Sequence, residues 1–219
     1  MSVATTTTTE LWRMSATDLA QAIRSRQTSS REVVEAHLRR IEAVNPAVNA
    51  VTVMLGEQAL EAAKAADRAV ADGGHLPPFH GIPFTIKENI DLAGTPTTQG
   101  LKALADAYPG LDAPNVERVR AAGAIPIGRT NCPDFGIRWH AGSELWGATI
   151  NPWDRSRTPG ASQRRRGRGA RHRHDAAGDW GRYGRVAALA GPMLRDQRAQ
   201  AHPRSHPACD HHRTGGWAD

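Results

Sequence analysis

Lysine, glutamate, isoleucine, phenylalanine and asparagine are all missing from residues 161–219. A surface selected for positive charge mixes Lys with Arg, yet this stretch holds 12 Arg, 5 Asp and no Lys. The net charge of +6 carried by the 219-residue chain therefore divides into +7 for residues 161–219 and −1 for residues 1–160. Loss of five common residue types at once points to a cause at the nucleotide level. Cysteine is scarce too. Cys132 and Cys209 offer neither a disulfide framework nor zinc spacing, and they fit a reducing compartment. No apolar run reaches the roughly 20 residues that cross a bilayer. Met1–Thr9 lacks the basic start and apolar stretch of a signal peptide. The chain is therefore expected to be cytoplasmic, without a membrane partner. It has no internal repeat, no Gly-rich phosphate loop and no paired metal ligands, so no cofactor and no metal are expected.

Residues 1–160 do carry the patterns of a folded domain. The Thr5–Thr9 run reads as a frayed start, and residues 1–10 are expected to be disordered. Ser15-Ala16-Thr17-Asp18 and Ser29-Ser30-Arg31-Glu32 are capping-box patterns, each followed by apolar residues at helical spacing: Leu19 and Ile23, then Val34, Leu38 and Ile41. Asn45-Pro46 is expected to end the second helix. Val48–Leu55 reads as a strand, and Ala59–Ala71 as an alanine-rich helix stopped by Gly73-Gly74. Gly81–Ile86 is a short buried strand running into Lys87. A helix follows over Pro114–Ala122, then a second apolar strand over Ala124–Gly128. Alternating helices and apolar strands predict an α/β architecture with a mixed sheet flanked by helices.

Four blocks in order carry a resemblance. They are His80-Gly81-Ile82-Pro83-Phe84-Thr85-Ile86-Lys87-Glu88-Asn89-Ile90-Asp91, then Gly94–Gly100, then Ala121–Asn131, then Leu145–Asp154 leading to Thr158-Pro159-Gly160-Ala161-Ser162. Together they resemble the amidase signature family, over residues of about 10–162. The resemblance implies amide hydrolysis through a Ser-Ser-Lys triad and an acyl-enzyme. Lys87 would be the base, and Ser162 the bridging serine on a non-proline cis peptide. Lysine acts as a base only when neutral, which requires desolvation or a neighbouring cation. The nucleophilic serine should follow in a Gly-Gly-Ser turn whose N–H groups hold the oxyanion. No such turn is present, and Val186 stands about where that serine is expected.

Shifting the frame by one nucleotide after Ser162 supplies what is missing. Gln163–Arg166 can be written in codons that, read one base over, give Ser-Gly-Gly-Glu. Arg182–Val186 similarly give Asp-Thr-Gly-Gly, with a serine codon straddling Val186 and Ala187. Synonym choice leaves most positions open, but Trp180 before Gly181 forces Gly and Met193 before Leu194 forces Cys, and both fit. Residues 11–162 are thus expected to be the N-terminal part of an amidase signature domain, and residues 163–219 an out-of-frame, disordered tail. The chain is expected to be an inactive, truncated product of a parent that acts on small amides. By resemblance, the family also includes a subunit working with partners in transamidation on tRNA; a stand-alone hydrolase ranks higher.

The alternative is an α/β domain whose Arg-rich tail binds nucleic acid without sequence preference, through phosphate neutralisation. It ranks below a solvated tail, because a selected binding tail has no reason to encode amidase motifs one base over. The six tail histidines match no ordinary ligand set. His80, His140 and Cys132 read as packing or loop residues rather than catalytic ones.

Overall fold

A computed structural model describes residues 11–138 and 140–159. The expectations for residues 1–10 and 163–219, and those for Ser162, Val186, Cys209 and the tail histidines, lie outside the described residues.

Four helices and a three-stranded sheet make up the fold: α1 (Ala16–Arg24), α2 (Ser30–Val48), β1 (Val51–Met54), α3 (Gly56–Ala71), β2 (Pro83–Lys87), α4 (Pro114–Ala121) and β3 (Ile125–Thr130). The order across the sheet is β1-β3-β2, with β1 antiparallel and β2 parallel to β3. A short hairpin, β4 (Gly142–Ser143) and β5 (Gly147–Ala148), follows.

Both serines cap their helices as expected, but the reciprocal capping box closes only in α2. In α2 the Ser29 hydroxyl accepts from Glu32 N–H and the Glu32 carboxylate accepts from Ser29 N–H. In α1 the Ser15 hydroxyl accepts from Asp18 N–H and donates to the Asp18 carboxylate itself. Asp67 of α3 adds a cap from outside the helix, accepting the free N–H groups of Ser30 (2.6 Å) and Arg31 (3.1 Å).

Pro46 does not end α2, which runs on to Val48 and stops at Asn49 in the left-handed conformation (φ 54°). Proline removes one hydrogen bond. In the last turn that loss is bearable, because Asn49 N–H still reaches Asn45 O at 2.7 Å. The Asn45 side chain accepts from Ala50 and Val51 N–H and donates to Val51 O, carrying the chain straight into β1. β1 is therefore shorter than the Val48–Leu55 expectation, and α3 begins three residues before Ala59.

Apolar side chains cover both faces of the sheet. Val34, Leu38 and Ile41 of α2 pack with Ala59 and Ala63 of α3 on Ile125 and Ile127. Elsewhere Val116 of α4 packs with Leu55, Ile86 and Leu92. Leu19, Ile23 and Val33 close a further cluster around Leu11 and Ile82. The Arg13 and Arg40 guanidinium carbons lie over the Trp12 ring, 4.8 and 4.2 Å from its centroid, in cation–π contacts. Gly123 turns α4 into β3 at φ 92°, where a Cβ would lie 2.8 Å from the His80 backbone.

Candidate active site at the carboxyl ends of the parallel strands

β2 and β3 run parallel, and Lys87 and Thr130, their last residues, are partners in register. Open α/β sheets place ligands outside the carboxyl ends of their strands, so Lys87 stands where such a site is expected. It is half-buried, and among the described residues its ammonium makes no hydrogen bond and no ion pair.

Cys132 lies two residues beyond Thr130 and is fully buried. Burial pushes its thiol up to about 11, with Lys87 the strongest charge opposing the shift. A thiol held so far above neutrality is no nucleophile, and the packing role expected for Cys132 stands. His80 is buried, with Nε2 2.9 Å from Ala66 O, while His140 is exposed. Both agree with packing and loop roles.

Strand alternation turns Glu88 away from Lys87. Glu88 is completely buried. Its carboxylate accepts from the hydroxyls of Thr52 and Thr98, at 2.5 and 2.6 Å. Arg129 of β3 is buried to the same degree and donates from Nη1 to Thr95 Oγ1 at 3.1 Å. Burial pushes its guanidinium below the ordinary arginine range, and the charges of Glu88 and Asp91 oppose that. Among the described residues Arg129 Nε and Nη2 have no acceptor.

Asn131 uses its whole amide. Nδ2 donates to Gly147 O (3.0 Å) and Thr149 Oγ1 (3.1 Å), and Oδ1 accepts from Ser143 Oγ (3.1 Å). These bonds seat the β4–β5 hairpin beside the strand ends. Gly100 allows the approach: a Cβ there would meet Ser143 Cβ at 2.7 Å, and its φ is 78°. Sequence reasoning assigned no role to Glu88, Arg129 or Asn131, although all three stand inside the four family-like blocks. Their signal was the direct adjacency of charged and amide residues to apolar strand ends.

Among the described residues no three His, Cys, Asp or Glu side chains converge as metal ligands, and no helix is long and apolar enough to cross a membrane.

A family profile described as Amidase matches residues 32–163. An indoleacetamide hydrolase of Bradyrhizobium diazoefficiens is 50% identical over 152 residues, covering 69% of this chain and 29% of the relative. A glutamyl-tRNA(Gln) amidotransferase polypeptide from Acidothermus cellulolyticus is 41% identical, the match covering 70% of this chain and 30% of the relative. Among solved structures, a bacterial aryl acylamidase of the amidase signature enzymes superposes with a TM-score of 0.65 at 30% identity. That match covers 68% of this chain and 31% of the acylamidase. The chain thus spans about 30% of the length of the curated relatives it matches.

Proposed function

Since the chain belongs to the amidase signature family, we propose that its in-frame parent hydrolyses the carbon–nitrogen bond of a small amide by a Ser-Ser-Lys mechanism. On this reading neutral Lys87 takes the proton of Ser162, and Ser162 takes that of a second serine. That second serine adds to the amide carbonyl carbon. The C–N bond then breaks, the proton returns through Ser162 to the leaving amine, and water releases the acyl group from the serine ester. The chain itself reads Val186 where the nucleophile is expected, so it has no group to form that ester and is inactive.

The observation that carries this is Lys87 at the carboxyl end of β2, half-buried and without an ion pair among the described residues. The 50% identity to an indoleacetamide hydrolase makes an aryl-substituted primary amide the first substrate to try.

The test compares two genes. The chain as it stands is expected to release no ammonia from indoleacetamide. Removing one base ahead of the Gln163 codon is expected to restore turnover, and Lys87→Ala in that restored protein to lower it by roughly 10⁴ to 10⁶-fold. Substantial hydrolysis by the present chain, or none by the restored one, refutes the reading.

A further inference from the structure

We propose that Glu88 is a positioning residue for Lys87, its buried carboxylate fixing the peptide that follows the lysine; the inference rests on the reading of Lys87 as the base. Lys87 is the last residue of β2. The direction in which its side chain leaves the sheet therefore depends on what holds the residue after it. A base displaced by about 1 Å loses rate by about a hundredfold.

Backbone and carboxylate of Glu88 are both held. Its N–H donates to Thr130 O at 2.9 Å, and its carbonyl accepts from Gln99 N–H at 3.4 Å. One carboxylate oxygen accepts from the hydroxyl of Thr52 on β1, so the side chain reaches over β3 to the far strand of the sheet. The other accepts from the Thr98 hydroxyl, which in turn accepts from Gly100 N–H at 3.1 Å. Gln99 and Gly100 both have positive φ, 51° and 78°. A left-handed glutamine persists only where its surroundings impose it. This turn carries its neighbours: Gln99 O accepts from Phe135 N–H at 2.9 Å, and Gly100 O from Leu145 N–H at 3.0 Å.

The bonds a buried carboxylate makes show what it is for. Were Glu88 present only to neutralise Arg129, it would accept from the guanidinium. Arg129 Nε and Nη2 instead have no acceptor among the described residues, while both Glu88 oxygens go to hydroxyls on two other segments. Burying a charge in this way costs stability that a direct ion pair would partly return. What the arrangement supplies is geometry: the residue after Lys87 is tied to β1 and to the turn on which the Phe135 loop and the β4–β5 hairpin rest.

The test has two arms. In the full chain as it stands, Thr98→Val is expected to speed hydrogen exchange at the Glu88 amide about tenfold, while the Ile125 amide keeps its protection. In the frame-restored protein, Thr98→Val should lower kcat about tenfold and Glu88→Ala about a hundredfold, with KM changed less than about threefold. Glu88→Gln, which offers an oxygen to one hydroxyl and an N–H to the other, is expected to recover most of that kcat. Ser29→Ala weakens a helix cap far from the lysine and should leave kcat unchanged. If Glu88→Ala does not fold, Thr98→Val decides. An unchanged Glu88 exchange rate or kcat in Thr98→Val overturns the positioning role, as does an equal loss of kcat in Ser29→Ala. A restored protein without turnover refutes the lysine–serine reading, and the positioning role falls with it.

Discussion

Glu88 and Arg129 bring opposite charges into the interior of the fold, and each depends on threonine hydroxyls for its hydrogen bonds. The two are not bonded to each other, but the Glu88 charge opposes the effect of burial on the Arg129 guanidinium, and removing it leaves that guanidinium with its desolvation penalty less compensated. Glu88→Ala is therefore expected to lower stability by about 3–5 kcal/mol, read as the shift in a urea midpoint at constant slope. A loss under about 1 kcal/mol would mean that the Arg129 charge is compensated by something else. Cys132 gives a second prediction at this scale. With its thiol at about 11, roughly one molecule in a thousand carries thiolate at pH 8. Alkylation of the native chain at Cys132 should be at least a hundredfold slower than in urea and should accelerate as pH rises toward 11. Lys87 was legible in the sequence because its neighbours form a motif. Glu88 was not assigned a role, since a carboxylate next to a lysine reads as surface charge until the Thr52 and Thr98 hydroxyls are placed around it.

The helices show where local chemistry suffices. Ser29 and Glu32 exchange bonds within one turn, so the start of α2 was visible in four residues. Ser29→Ala is expected to cost about 1 kcal/mol, measurable by thermal denaturation. The carboxylate of Glu32 is held below its ordinary value of 4.5, chiefly by the Ser29 N–H; burial opposes this, and the hydroxyls of Thr28 and Ser29 add smaller lowering effects. A lowered folded-state pKa means stabilisation that is complete above 4.5 and fades as pH falls through the lower folded value. The stability difference between the parent and Glu32→Gln should shrink accordingly on acidification below 4.5, and a constant difference would refute the assignment. Other features escaped the sequence for physical reasons. Pro46 reads as a stop, yet one missing hydrogen bond in a final turn is outweighed when Asn45 and Asn49 take over the carbonyl and amide traffic. The β4–β5 hairpin was not foreseen, because its stability comes from Asn49 and Asn131, more than ten residues away, rather than from its own turn.

Taken whole, the described fold is a three-stranded sheet in which β1 and β2 each pair on one side only. Leu111 and Ile137 are 82% and 77% exposed, and Tyr108, Phe135 and Trp153 are more than half exposed. Open strand edges and apolar surface favour association between copies. The chain is expected to sediment faster as its concentration rises, and the frame-restored protein is not; one concentration-independent boundary for the present chain would contradict this. Sheet order also has a temporal side. β3 lies in the middle yet is the last of the three strands to be made, and β1 and β2 have no bond to one another. At about 5–20 residues per second, a ribosome spends several seconds between finishing β1 and finishing β3. Throughout that interval two unpaired strands must wait in a nascent chain for the one that joins them.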